Sequence, residues 1–236
     1  MALPRLNDSP QYELVIPSSG DKLNYRPFLV KEQKILMLAF ESQDKKQILN
    51  AILDTIEACC PNVEKNKLAS FDVDYIFTQI RTKSVGETTT ISATCECGHE
   101  NDVVVNLDEA VLHNEHTTDI IKLNSEYAIK MRWPSYHEIA NNDIITSQSA
   151  KNTDIVYETI KMSIDGIMTE DEFILLKDES AEEVDRFVNS LTTEQFNKIN
   201  EYISAAPTLK YDLKYKCEGC EKEITKTLEG LQDFFS

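Results

Sequence analysis

From the amino terminus onward, the polarity pattern alternates before it turns helical. Tyr12-Glu-Leu-Val-Ile-Pro17 switches between apolar and polar positions, Ser18 to Asp21 supplies turn residues, and Lys22 to Phe28 reads as the returning arm of a hairpin. Between Val30 and Cys60 the apolar positions Ile35, Leu38 and Ala39, then Ile48, Ile52, Leu53 and Ile56, recur at three- and four-residue steps, with a break from Ser42 to Lys45. That spacing predicts two amphipathic helices, because a helical turn places those positions on one face. A third helix is expected from Phe71 to Lys83, burying Tyr75, Ile76 and either Gln79 or Ile80, and ending at Gly86.

Past Gly86 the period shortens again. Thr88 to Thr94 is rich in β-branched residues, Cys95-Glu-Cys-Gly-His99 is a tight turn, and Asp102 to Leu107 forms the second arm of a hairpin. A further strand pair is expected over 119–123 and 127–132, stopped by Pro134. Ser135 with Glu138, Thr169 with Glu172, Ser180 with Glu183 and Thr192 with Gln195 each have capping-box spacing, which predicts helix starts throughout 134–206. Pro207 closes that block. Leu209, Tyr211, Leu213 and Tyr215 then alternate into Cys217-Glu-Gly-Cys220, and Glu223 to Leu228 returns as the partner strand.

Two hairpins far apart in sequence therefore carry cysteines at their tips: Cys95 with Cys97, and Cys217 with Cys220. Thiolates two or three residues apart on a turn grip one face of a tetrahedral ion, and two such knuckles complete the four-thiolate site of a structural zinc ribbon. The first knuckle is Cys-x-Cys-Gly, so His99 stands as an alternative ligand. Small buried cysteines without metal, and oxidised pairs, remain open as other readings. A redox Cys-x-x-Cys would open a helix after a strand, whereas Glu223-Ile-Thr-Lys-Thr227 is strand-like. Cys59 and Cys60 precede Pro61 at a helix end and read as packing residues, since adjacent side chains diverge. The expected architecture is α+β: an N-terminal hairpin and helical region over 1–87, a zinc-ribbon-like β module from 88–132 and 207–236, and an inserted helical subdomain over 133–206.

Composition narrows the function classes. In 236 residues, 24 basic and 41 acidic side chains leave a net charge of −17, which repels nucleic acid and anionic lipid. The acidity either keeps a surface soluble or complements a basic partner. A sequence that is 41% hydrophobic supports a sizeable core. No run approaches the ~20 apolar residues that cross a bilayer, and Met1 to Arg5 lacks the pattern of a signal peptide, so a cytosolic protein without membrane partners is expected. The six glycines form no phosphate-cradling motif. His113 and His116 lie in a polar connector and His137 in the first turn of a helix, while Glu170, Asp171 and Glu172 suit a helix N-terminus. No nucleophile with a matching base emerges.

Several strings resemble one family. They are Leu3-Pro-Arg-Leu6, Tyr12-Glu-Leu-Val-Ile-Pro-Ser-Ser-Gly20, Tyr25-Arg-Pro-Phe-Leu-Val-Lys-Glu-Gln-Lys34, Phe71-Asp-Val-Asp-Tyr-Ile-Phe77, Ile80-Arg-Thr-Lys-Ser-Val-Gly-Glu87 and Cys97-Gly-His-Glu-Asn101. Together they resemble the baseplate hub assembly proteins of T4-type bacteriophages over nearly the whole chain. The resemblance implies a non-enzymatic part in building the central hub of the tail baseplate, contacts with other hub and spike proteins, and a place in the host cytoplasm during assembly or in the virion tail. Arg26, Lys31, Arg81, Lys83 and Glu87 are polar residues within those strings that packing does not require. They are candidates to contact a hub partner; an internal ion-pair network is the alternative. Two rival functions stay open at this stage: an acidic zinc-ribbon adaptor acting on nucleic acid or the transcription machinery, and a metalloenzyme using two cysteines and His99.

Overall fold

The computed structural model describes residues 9–113 and 118–235. Leu3 to Leu6 of the resemblance, and His116, lie outside the described residues. The fold is α+β, as the sequence predicts. The described residues form two compact units, one of 9–113 with 208–235 and one of 118–207.

The first unit opens with the expected hairpin, β1 (Tyr12–Val15) antiparallel to β2 (Lys22–Tyr25), which buries Leu14, Leu23 and Tyr25. Helices α1 (Val30–Ser42), α2 (Lys45–Cys59) and α3 (Ser70–Val85) follow. Asp44 starts α2 by accepting the Gln47 N–H at 2.9 Å, and that helix buries Ile52, Leu53 and Ile56 as its spacing predicts. Two contacts tie the hairpin arm to α3. Ser18 donates its N–H at 2.9 Å and its hydroxyl at 2.6 Å to the Asp72 carboxylate, and the Phe28 N–H donates to Ser84 Oγ at 2.9 Å. The strings that carry the family resemblance thus meet in pairs.

Helix α1 is rotated from its expected orientation. Ile35 and Leu38 are exposed, and the residues turned inward are Glu32, Leu36 and Ala39. The cause is Glu32, which receives Arg26 Nη2 at 2.9 Å and the Leu29 N–H at 2.8 Å. Burial by itself raises this carboxyl's pKa, but the donors of Arg26, Leu29 and Lys31 outweigh it and hold the group lowered and ionised. An ion pair that apolar periodicity cannot register has set which stripe of the helix faces inward.

Strands β3 (Thr88–Thr94) and β4 (Glu100–Asn106) form the first cysteine hairpin, and β5 (Val111–His113) follows. His113 therefore ends a strand, where it pairs with Thr208.

The second unit contains β6 (Ile120–Lys122), β7 (Ala128–Met131), α4 (Tyr136–Asn141), α5 (Asp143–Thr146), α6 (Asn152–Ser163), β8 (Ile164–Met168), β9 (Phe173–Leu175), α7 (Ala181–Ser190) and α8 (Thr193–Ser204). Its four-stranded antiparallel sheet has the order β6-β7-β8-β9. This corrects the expected division in two places. Strands β6 and β7, assigned by sequence to the ribbon module, pair with β8 inside this unit, because Ile121, Ile129 and Met131 share a core with Ile160, Ile164, Val188 and Ile199. The block 133–206 is also not purely helical. Thr169 starts no helix; its hydroxyl accepts the N–H groups of Asp171 and Glu172 in the β8–β9 turn, so those acids do not occupy a helix N-terminus. Ser135, Ser180 and Thr192 do start α4, α7 and α8, each accepting the N–H three residues on.

The chain returns to the first unit through β10 (Thr208–Lys216), β11 (Glu223–Glu229) and α9 (Gly230–Phe235). Strand β10 lies between β11 and β5 in an antiparallel three-stranded sheet. Ile91, Ala93, Val105 and Leu107 from the first cysteine hairpin pack with Leu209, Leu213, Leu228 and Phe234, so one apolar core joins the two hairpins.

Candidate metal centre

Each knuckle is shaped by its own backbone. In the first, Cys95 donates its N–H to the His99 carbonyl at 2.9 Å while its own carbonyl accepts the Gly98 N–H at 2.8 Å. In the second, Cys217 donates to the Lys222 carbonyl at 3.0 Å and accepts from Glu221 at 2.8 Å. These closures turn both thiols of a knuckle to one side.

The shared core then brings the knuckles tip to tip. Cys95 Sγ lies 3.7 Å from Cys220 Sγ, and Cys97 Sγ lies 3.7 Å from Cys217 Sγ. All four sulfurs fall within 4.8 Å of one another. A zinc–sulfur bond of about 2.3 Å in a regular tetrahedron requires a sulfur–sulfur edge of about 3.8 Å. The donor set fits such an ion in chemistry and in spacing. Cys95 and Cys217 are buried, Cys97 and Cys220 exposed, so an ion here would be reached from one side.

Electrostatics separates the thiols. At Cys217 burial acts upward, but the N–H groups of Cys220 and Gly219 and the thiols of Cys95 and Cys97 stabilise the thiolate and bring its pKa down to about 6. At Cys95 the Cys97 N–H acts downward, while burial and the thiols of Cys97 and Cys217 carry the group above its ordinary value. The arrangement favours one thiolate ahead of its neighbours, the form that binds metal.

His99 is not among the clustered ligands; its ring lies over Gly219. A methyl group at Gly219 would come within 2.8 Å of the His99 Cβ and Cγ atoms, so glycine is what lets the second knuckle close on the first. Two further contacts cross the joint. Buried Asn101 accepts the Glu218 N–H at 2.9 Å and donates to the carbonyls of Ala93 and His99 at 3.2 Å, and Lys222 pairs with Glu96 at 2.7 Å. Neither Asn101 nor Gly219 is recognisable as a site residue from sequence; the glycine within Cys-x-Gly-Cys is the only local signal.

Cys59 and Cys60 stay apart from the cluster at the end of α2, where burial pushes their thiols up to about 11 and about 12. The polar residues of the family strings fall into two groups. Arg26 donates to Glu32, to the carbonyls of Pro27 and Ala58 and to Cys59 Sγ, while Lys31 pairs with Glu32. Half-buried Arg81 donates to the carbonyls of Gly86 and Thr88, and Lys83 pairs with Glu87 at 3.4 Å. His137 begins α4, hydrogen-bonded to Asn141.

Fold and site together define an α+β chain in which two distant hairpins meet at a cluster of four cysteines. Residues 9–236 match the family model described as T4 bacteriophage base plate protein, and the chain belongs to that family. It is thus a phage baseplate protein. No curated protein and no solved structure matches the chain. Among the described residues no helix is long and apolar enough to cross a membrane.

Proposed function

We propose that the chain is a non-enzymatic component of the baseplate central hub, as a subunit or an assembly factor, and that it works through contacts with other hub and spike proteins in the host cytoplasm and the virion tail. The observation that carries this reading is the family match across 9–236. Of the polar residues in the family strings, Lys31, Lys83 and Glu87 are the ones offered to a hub partner; Arg26 and Arg81 serve the local fold. Co-expression with the other baseplate proteins, followed by gentle low-salt purification, should yield a complex containing this chain. Recovery as a free protein while the other hub components assemble together would refute the reading.

Within that role, Cys95, Cys97, Cys217 and Cys220 hold a structural zinc ion in a ribbon-like module. Four thiolates fill a tetrahedral shell and leave no position for substrate, which is why the metalloenzyme reading lacks support. The nucleic-acid adaptor also lacks support, since Lys216 and Lys222 beside the knuckles are paired with Glu221 and Glu96. An ion held by thiols 120 residues apart adds its binding energy to the folding of both hairpins. Elemental analysis should find one zinc per chain. Cys217→Ser should lose it and loosen β10 and β11 to hydrogen exchange while α1 to α3 stay protected, and Cys59→Ser should keep it. A metal-free wild type with well-protected knuckles would defeat the zinc assignment and leave the baseplate role standing.

A further inference from the structure

The four thiols of the metal centre are sorted by exposure as well as by spacing. Cys97 and Cys220 are exposed, Cys95 and Cys217 buried. The contacts at 3.7 Å cross from one hairpin to the other, and each joins an exposed thiol to a buried one: Cys97 to Cys217, and Cys220 to Cys95. A disulfide needs its sulfurs about 2.05 Å apart, so closing either contact moves each sulfur by roughly 0.8 Å. The shared core, Asn101 at the Glu218 N–H and Lys222 at Glu96 already hold the hairpins facing each other for that movement. Pairing within a knuckle is less favourable. One residue separates Cys95 from Cys97, too short a ring for ordinary disulfide geometry, and a Cys217–Cys220 bond would leave those two with only each other.

We propose that the centre is a peroxide-responsive clamp, whose four cysteines convert to two crossed disulfides, Cys97–Cys217 and Cys95–Cys220. In each pair the exposed sulfur attacks hydrogen peroxide: an S–O bond forms, the O–O bond breaks and water leaves, giving a sulfenic acid. The buried sulfur of the other hairpin then attacks that sulfur. The S–S bond forms, and the oxygen departs as a second water with the proton of the buried thiol. Each pair thus loses two electrons and two protons, and one peroxide is reduced to two waters. An ion held by the four thiolates is released, and solvent supplies the protons that the thiols would have given. Covalent links between residues 120 and 125 positions apart then hold the hairpins in its place. In a reducing cytosol the thiol form persists, and the disulfide form belongs to oxidising surroundings. The proposal rests on the spacing and exposure of the thiols and not on the zinc assignment, which elemental analysis tests separately.

The full-length protein is treated with excess hydrogen peroxide, with EDTA present to capture any released ion. It is then alkylated with iodoacetamide in urea and cut at acid pH by a glutamate-specific protease, conditions that suppress thiol exchange. Glu96 and Glu218 each lie between the two cysteines of a knuckle, so the cut places all four on different peptides: 88–96, 97–100, 202–218 and 219–221. Mass spectrometry should find 97–100 joined to 202–218 and 88–96 joined to 219–221. Each joined pair should be two hydrogens lighter than the sum of its parts and should separate with dithiothreitol. Cys59 and Cys60, fully buried in the folded protein, should carry the alkyl group. When dimedone is included to trap the intermediate, its label should fall on 97–100 and 219–221, the peptides of the exposed thiols. Pairing within a knuckle, links between separate chains, thiols that stay free under excess peroxide, or dimedone on the peptides of Cys95 and Cys217 would each overturn the proposal.

Discussion

Asn101 and Glu218 are 117 residues apart in sequence, yet the Glu218 N–H donates to Asn101 Oδ1 at 2.9 Å. The same amide side chain donates to Ala93 and His99, so one buried residue ties the first hairpin to itself and to the second knuckle. Its position just behind the thiols makes it the support that keeps the two knuckles facing each other. Asn101→Ala removes three hydrogen bonds and strands the Glu218 N–H, which should cost about 1–3 kcal/mol of stability in the first unit. Hydrogen exchange at Glu218 should quicken, and affinity for zinc should fall about tenfold or more. Unchanged exchange at Glu218 in a folded variant would show that the shared core alone sets the docking of the hairpins.

Gly219 makes the complementary point about space. A side chain there meets His99 at 2.8 Å, so Gly219→Ala must push either the ring or the knuckle aside. Rotating the exposed His99 ring would relieve the contact with Cγ but not the one with Cβ, so the backbone of one knuckle must shift, against the hydrogen bonds that Cys217 makes with Lys222 and Glu221. Gly219→Ala should therefore lower zinc affinity, and the double variant Gly219→Ala/His99→Gly should restore it by removing both the Cβ and the ring that stand in the way. Competition against a chromophoric chelator measures both. Failure of the second substitution to restore binding would locate the effect of Gly219 in its own backbone and not in the approach of His99.

What the sequence reveals and what it hides follow from the range of the forces involved. The cysteine tips were readable because hairpin turns and thiol spacing are local, and the starts of α4, α7 and α8 because a hydroxyl reaches only to the next turn of backbone. Thr169 has the same spacing and forms a strand turn, since the local hydrogen bonds of a hydroxyl suit both structures equally. The β8–β9 hairpin was hidden inside a block read as helical. Its clearest local mark is Gly166, where a methyl group would come within 2.4 Å of the Ile174 carbonyl on the neighbouring strand. The rotation of α1 was out of reach because it depends on Arg26 accompanying Glu32 inward. Asn101 was equally out of reach, since its partner is contributed by the far hairpin.

Asp74 on α3 is a half-buried carboxyl group with no hydrogen-bond or ion-pair partner among the described residues. Burial lifts Asp74 on α3 from its ordinary value of 3.8 to about 7. Its surroundings offer little compensation: one and two turns along the same face, the buried hydroxyls of Thr78 and Thr82 find no hydrogen-bond partner among the described residues. The folded protein therefore keeps a proton that the unfolded chain releases above pH 3.8. Stability from this group is greatest below that pH, falls as pH climbs toward about 7, and is level above it. Asp74→Asn is neutral at every pH and removes the slope, so it should stabilise the protein by about 2 kcal/mol at pH 8 and by much less at pH 4. Urea unfolding of both proteins at the two pH values measures the difference. An equal effect at the two would mean that the substitution acts through packing, and that Asp74 is ionised in the folded protein at no cost.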